Sequence, residues 1–448
     1  MAPRFGTDGV RGAANADLTP EVALALGKAV VRVLGNGRPF VVARDTRRSG
    51  PMLEAALAAG VAAEGADVVS AGVLPTPGAA YLAGIRQCPA AVISASHNPW
   101  PDNGIKFFAA GGRKLTNDQE RAVEAAFDDL RAVGPGGPGT GTSEVGGLES
   151  FPGGSDAYAD HLVACLEGRR LCGVRVVIDC GHGAASAVAP AVFERAGAKV
   201  EVRNASPDGM NINAGSGATA PEAVAAEVVA LGAAAGLAFD GDADRCIAVD
   251  ESGGIVDGDH LLAVAALDLR RRGVLHHEAV ATTVMANLGF RRAMEAEGVR
   301  VVETAVGDRA VLEAMEAGGL ALGGEQSGHL IYADLATTGD GILSGLMLLD
   351  VMARSRRPLS QLASVVVKLP QVLRNVRVAD RADLPGATGF WDEVAAAEAE
   401  LGDGGRVLVR PSGTEPLVRV MVEASTEAAA ERHVTRLVAA LTAVLGPG

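Results

Sequence analysis

TPEVALALGKAVVRVLG (19–35), RPFVVARDTR (38–47), MLEAALAAGVAAEGA (52–66), DVVSAG (67–72) and PAAVISAS (89–96) follow in that order, and the order decides the fold. The first segment spaces apolar residues at helical intervals behind Thr19, a good N-cap, and Pro20, whose missing N–H costs nothing in a first turn. The second reads as a strand running into a charged loop, the third as a helix, and the last two as strands, the final one reaching Ser96. Alternating helices and strands with crossovers predict a mixed or parallel sheet covered by helices.

Working outward, the rhythm recurs. PGGPGTG (135–141) interrupts it and sets a first boundary near 150. Beyond lie a helix in DAYADHLVACLEG (156–168), a strand and loop in RVVIDCGHG (175–183), a helix over ASAVAPAVFERAG (185–197) despite Pro190, and the strand KVEVRN (199–204). A third unit opens with HLLAVAALDLRRRG (260–273), contains AVATTV (279–284) and VRVVETAV (299–306), returns through GGLALGGEQSGH (318–329), and ends in a helix over 342–354. The pattern then changes: two strands around RPSGTEP (410–416) flanked by helices predict a smaller α+β domain. The expected domains are 1–150, 151–252, 253–362 and 363–448, with no fixed-period repeat.

The chain's 448 residues exceed one ordinary core. With 48% hydrophobic and only 3% aromatic residues, the cores must be built from Ala, Val and Leu. A net charge of -14 gives no electrostatic reason to bind nucleic acid or an anionic membrane, so an anionic substrate must be held by local arginines and backbone amides. The five cysteines form no C-x-x-C pair, which fits a reduced compartment and structural roles. The opening MAPRFGTDGVRG has no secretory apolar segment, and the apolar stretches near 228–239 and 341–349 are broken by glycine and closed by charge. A cytoplasmic protein is expected.

Four loops can carry chemistry. SASHNP (94–99) puts Ser96 at a strand terminus, where a hydroxyl can take a phosphoryl group while amides face the anion; the plain alternative is that Ser96 and His97 cap a turn. In DGDADR (240–245), Asp240, Asp242 and Asp244 alternate so that a curved loop turns their oxygens toward one hard cation, with magnesium the best match; a capping cluster is the alternative. The tract lacks the downstream Glu of a calcium loop, and Arg245 can balance the carboxylates or face a phosphoryl oxygen. GGEQSGH (323–329) gathers Glu325, Ser327 and His329, suited to sugar hydroxyls or to an ordinary turn. RPSGTEP offers Arg410, Ser412, Gly413 and Thr414, with Arg419 beyond, to a nontransferring phosphate, or forms a polar hairpin on a charged surface; it is not a Walker loop. Together they supply the parts needed to move phosphate between two positions of one sugar.

FGTDGVRG, SASHNPWPDNGIKFF, DGDADR, GGEQSGH and RPSGTEP, in this order across almost the whole chain, resemble the α-D-phosphohexomutase superfamily. The resemblance implies three related mixed-sheet α/β/α domains and a smaller TATA-binding-protein-like α+β domain around a central cleft. It makes Ser96 the phosphoserine and a ligand, with Asp240, Asp242 and Asp244, of one magnesium ion. It places Arg11, His97 and Lys106 around the reacting phosphate, with Arg245 beside the metal loop. Glu325 and Ser327 become sugar-reading residues, and Arg410, Ser412, Gly413, Thr414 and Arg419 the distal phosphate site. Acid/base duty stays open among His329, His97 and Lys106.

FGTDGVRG and Gln326 favour the bacterial branch that interconverts glucosamine 6-phosphate and glucosamine 1-phosphate through glucosamine 1,6-bisphosphate, supplying amino-sugar nucleotide and cell-wall precursors. Phosphomannomutase/phosphoglucomutase is the alternative. Activation by a protein kinase or by autophosphorylation, and a homodimer, are compatible with the resemblance.

Overall fold

Thr19 caps the first helix through its side-chain oxygen, which accepts from Val22 N at 3.4 Å, and Pro20 opens the helix as expected. In the computed structural model, residues 4–6, 9–35, 37–133, 144–412 and 417–446 are described. The segment beginning at Pro135 and the residues Gly413 and Thr414 lie outside them.

The first layer runs β1 (Phe5–Gly6), β2 (Gly9–Ala13), α1 (Pro20–Leu34), β3 (Phe40–Arg44), α2 (Gly50–Ala63), β4 (Val68–Val73), α3 (Thr76–Arg86), β5 (Ala90–Ile93), β6 (Asp102–Ala109), β7 (Arg113–Lys114), α4 (Asn117–Val133) and β8 (Leu148–Ser150). Its eight-stranded sheet has the order β1-β2-β6-β5-β3-β4-β8, with β7 paired to β6. Strands β5, β3, β4 and β8 are parallel, while β6 returns antiparallel to β5. Residues Phe40, Val42, Ala91 and Ile93 join α1, α2 and α4 in one core. Their alternates Val41, Ala43, Ala90 and Val92 are equally buried and point to the other face, where α3 packs on β3 and β5.

The second layer runs α5 (Gly154–Ala164), β9 (Arg175–Asp179), α6 (Ala189–Arg195), β10 (Lys199–Arg203), α7 (Glu222–Leu231), β11 (Ala235–Phe239), β12 (Cys246–Asp250) and β13 (Ile255–Val256), with strand order β10-β9-β11-β12-β13. The third runs α8 (Gly258–Arg271), β14 (Ala279–Thr283), α9 (Leu288–Ala296), β15 (Arg300–Thr304), α10 (Asp308–Gly318), β16 (Leu322–Gly324), β17 (Leu330–Tyr332), α11 (Gly341–Ser355) and α12 (Leu359–Ala363), with order β15-β14-β16-β17. Last come β18 (Gln371–Arg377), α13 (Thr388–Leu401), β19 (Arg406–Pro411), β20 (Leu417–Glu423) and α14 (Glu427–Leu445), where the sheet is antiparallel in the order β18-β20-β19.

One arrangement repeats in the first three sheets. The inner parallel strand, β5, β11 or β16, is followed at once by a loop and an antiparallel return, β6, β12 or β17. Each of the first three chemical motifs is that loop, and RPSGTEP joins the antiparallel pair β19 and β20. By residue contacts the chain forms two compact units, 1–285 with 299–365, and 286–298 with 366–448, so α9 groups with the C-terminal sheet. There Glu423, fully buried, accepts from Leu288 N at 2.9 Å and from Arg406 Nε at 2.8 Å.

Three details depart from the sequence reading. Strand β5 stops at Ile93 rather than Ser96, and Ser96 itself takes φ 53°, a left-handed conformation outside regular strand geometry. ASAVAPAVFERAG is not one helix: a 3-10 turn over Ala184–Ala187 precedes α6, and Pro190 sits in the first turn of α6, where its absent N–H is harmless. Helices α3, α4 and α7 have no counterpart in the sequence reading. All five cysteines are unpaired, with Cys88, Cys180 and Cys246 buried, and burial pushes the Cys180 thiol up to about 12. Among the described residues, no helix is long and apolar enough to cross a membrane.

Candidate active site

Ser96 is held by its main chain. Arg47, 1% exposed, pairs with Asp45 at 2.8 Å and donates to the carbonyl oxygens of Ser96, Asn98, Pro99 and Asp102. From the second layer, Asn213 Nδ2 donates to the Ser96 carbonyl at 2.9 Å and to that of Asn98 at 3.1 Å. Ser94 Oγ donates to Asp45 Oδ2 at 2.7 Å and accepts from Ser96 N at 2.9 Å, which occupies Ser94 structurally. The Ser96 hydroxyl instead donates to Asp240 Oδ2 at 2.6 Å. A Cβ on Gly241 would lie 2.5 Å from Ser96 O, so this approach of the two loops needs glycine.

Asp240, Asp242 and Asp244 are buried and place ligand atoms within 4.8 Å of one another. Lys106, on β6, reaches Asp242 Oδ2 at 2.8 Å and Asp244 Oδ2 at 3.3 Å. Burial, reinforced by Asp244 and Asp242, pushes the Asp240 carboxyl well above its ordinary range. Burial acts the same way on Asp244, but Lys106, His329 and Arg245 overcome it and hold that carboxyl well below. Asp242 Oδ1 and Asp244 Oδ1 are buried without any hydrogen bond. Three converging carboxylates with such oxygens left over fit a hard divalent cation, for which magnesium takes oxygen ligands and keeps room for phosphate or water.

Arg11, His97, Arg245 and His329 lie as follows. Arg11, on β2, is the register partner of Gly104 on β6, where any Cβ would crowd Arg11 Cγ at 3.0 Å. His97 Nδ1 lies 3.3 Å from Ser96 Oγ, and burial, then the positive charges of Arg245 and Arg11, lower its pKa to about 4. Arg245 Nε is 3.8 Å from Asp244 Oδ1, and its backbone N–H donates to Asp240 Oδ1 at 3.1 Å. His329 stands between two carboxylates, Nδ1 3.7 Å from Asp244 Oδ2 and Nε2 3.8 Å from Asp308 Oδ2; these raise its pKa although burial opposes them.

Glu325 Oε1 accepts from Gly307 N at 3.2 Å, just ahead of α10, and Ser327 Oγ is buried without a hydrogen bond. In the C-terminal unit, Arg410 and Arg419 are cross-strand partners, and burial, then the charge of Arg419, lowers the Arg410 pKa. Guanidiniums placed side by side have the donor geometry that suits an anion such as phosphate. Ser412 N closes the hairpin on Leu417 O at 2.8 Å. Gly413 and Thr414 lie outside the described residues.

Sequence reasoning missed Arg47, Asp45, Asn213 and Thr76. Thr76 Oγ1 donates to Asp242 Oδ2 at 2.6 Å across 166 residues. Nothing local marks such partners; the buried charge in VVARDTR was the one usable signal.

Models of the phosphoglucomutase/phosphomannomutase α/β/α domains I, II and III match residues 2–133, 156–254 and 257–369, and that of the C-terminal domain matches 373–440. The chain belongs to the phosphoglucomutase/phosphomannomutase family, the α-D-phosphohexomutases. It therefore has that family's four-domain fold and is an intramolecular phosphotransferase. Its relatives include the phosphoglucosamine mutase of Acidothermus cellulolyticus, 54% identical over 99% of this chain and 96% of the relative. That of Streptomyces avermitilis is 52% identical over 100% of both. A phosphoglucomutase/phosphomannomutase family protein from Burkholderia thailandensis superposes with a TM-score of 0.82 at 27% identity, covering 99% of this chain and 98% of that one. The fold is shared with Aspergillus fumigatus N-acetylphosphoglucosamine mutase, solved with GlcNAc-6P and magnesium (TM-score 0.72, 18% identity, 99% and 96% covered). The aspartate cluster and its neighbouring serine suit the magnesium-dependent phosphoserine chemistry of phosphohexomutases.

Proposed function

We propose that this phosphohexomutase is a phosphoglucosamine mutase, interconverting glucosamine 6-phosphate and glucosamine 1-phosphate, with Ser96 as phosphate carrier. The observation that carries the reading is the Ser96 hydroxyl placed 2.6 Å from Asp240 within the aspartate cluster, in a chain 54% identical along its length to a phosphoglucosamine mutase.

Phosphorylated Ser96 gives its phosphoryl group to the free 1- or 6-oxygen: the Ser96 Oγ–P bond breaks, a sugar O–P bond forms, and the sugar hydroxyl's proton passes to a basic side chain. The 1,6-bisphosphate then turns within the site and returns its other phosphate to Ser96. Asp240, Asp242 and Asp244 would hold magnesium, which neutralises charge on the phosphoryl oxygens. Arg11, Lys106 and Arg245 supply cations around the transferring group. His97, its pKa lowered to about 4, is suited to accept a proton, and His329, its pKa raised by two carboxylates against burial, to deliver one. Glu325 and Ser327 read the sugar. Arg410, Ser412 and Arg419, together with Gly413 and Thr414, anchor the phosphate that stays behind.

Phosphorus NMR with the phosphorylated enzyme, magnesium, a trace of the matching bisphosphate, and glucosamine, glucose or mannose 6-phosphate in parallel tests the reading. Fastest conversion of the glucosamine ester is expected; fastest conversion of glucose or mannose phosphate moves the chain to the phosphoglucomutase/phosphomannomutase branch. Incubating dephosphorylated enzyme with ATP alone separates autophosphorylation from kinase activation, and light scattering tests a homodimer.

A further inference from the structure

Asp242 uses its two carboxylate oxygens unequally. Oδ2 accepts from Thr76 Oγ1 at 2.6 Å and from Lys106 Nζ at 2.8 Å, whereas Oδ1 is buried and accepts nothing. The main chain of the same aspartate is held as well, since Thr76 N–H donates to Asp242 O at 3.0 Å. Thr76 is the first residue of α3 and is 1% exposed, so its hydroxyl has no solvent partner to exchange for the carboxylate.

We propose that Thr76 is a positioning residue for the cation site: it fixes the carboxylate of Asp242 so that Oδ1, and not Oδ2, faces the cation. The two bonds make the assignment stronger than one would. The backbone bond sets the distance between α3 and the metal loop, and the hydroxyl then sets the rotation of the carboxylate. Thr76 has one stiff side-chain torsion, whereas Lys106 reaches the same oxygen through a flexible four-carbon stem and contacts Asp244 as well. Since Thr76 belongs to the first α/β layer and Asp242 to the second, cation affinity also reports the register of those layers. This inference rests on reading residues 240–244 as the magnesium site.

Partners that orient a metal ligand typically contribute about 10- to 100-fold in metal affinity. The test uses the full-length, unphosphorylated protein and Mn²⁺, which suits carboxylate sites, with free ion read by electron paramagnetic resonance and Mg²⁺ measured by competition. Thr76→Val keeps the shape and removes the hydroxyl; Thr76→Ser keeps the hydroxyl. Mn²⁺ affinity about 10-fold weaker or more in Thr76→Val, and near wild type in Thr76→Ser, is the expected result. Wild-type affinity in Thr76→Val overturns the assignment, as does equal weakening in the two variants. A wild-type protein that turns over phosphosugar but binds no Mn²⁺ at the cluster overturns the magnesium reading and this inference with it.

Discussion

The guanidinium of Arg47 donates through Nη2 to the carbonyl oxygen of Ser96 at 2.9 Å. The Ser96 backbone is therefore gripped from within the first layer, while its hydroxyl is left to face Asp240. A serine at φ 53° is strained, and the fan of bonds from Arg47 to the carbonyls of Ser96, Asn98, Pro99 and Asp102 is what over-determines that conformation.

Replacing Arg47 should thus be costly to the fold. Arg47→Met leaves Asp45 buried without its partner, a loss on the order of 3–5 kcal/mol, and frees the Ser96 loop. Arg47→Lys, with three donors instead of five, should fall between. Urea unfolding measures both, and a Met variant as stable as wild type would refute the role given to this ion pair.

Two serines flank Ala95, and their surroundings separate their duties. Ser96→Ala should reduce turnover and phosphate incorporation to background while the protein stays folded, because only an oxygen at a polar loop is lost. Ser94→Ala should still incorporate phosphate, since Ser94 Oγ is engaged with Asp45. Intact-mass spectrometry after incubation with sugar bisphosphate reads both; phosphate on Ser96→Ala would remove Ser96 from the mechanism.

How far the site was legible depended on where its information sits. DGDADR and SASHNP are contiguous polar runs that follow apolar strands, so composition alone marked them, and AGLAF ahead of the aspartates is the strand β11 as read. Thr76 and Asn213 were invisible because their partners are far along the chain, and the bonds exist only once two layers dock. Helix α3 was hidden for a related reason: its mean pattern is broken by small residues that let it lie close to neighbours, with Gly78 against Leu74 and Tyr158. The bond that Glu325 Oε1 accepts from Gly307 N, at the start of α10, is likewise a contact between loops that the sequence order does not show.

Arg410 tests the distal anchor. Its cross-strand partner is Arg419, and like charges opposite one another cost a few tenths of a kcal/mol to about 1 kcal/mol. Arg410→Ala should therefore leave the thermal midpoint unchanged or slightly raised while raising the KM for glucosamine 6-phosphate about 10-fold or more, as loss of a charge-assisted contact to phosphate does. Phosphorylation of Ser96 should change less. Unchanged KM would count against the anchor.

A last prediction concerns pH. Asp340 caps α11, accepting from Leu343 N at 2.9 Å, and also accepts from Tyr158 OH at 2.6 Å. Burial pushes its carboxyl up to about 6, against the hydrogen bonds that favour ionisation. The unfolded chain releases this proton near pH 3.9, so between roughly pH 4 and pH 6 the folded protein holds a proton the unfolded one lacks. The stabilisation is complete below that window and is lost as pH rises through it, by on the order of 1–3 kcal/mol. Asn caps a helix as well as Asp does and cannot ionise. Asp340→Asn should thus gain thermal midpoint relative to wild type as pH goes from about 4.5 to about 7.5, and parallel pH profiles for the two proteins would show that Asp340 is ionised in the folded state across the whole range.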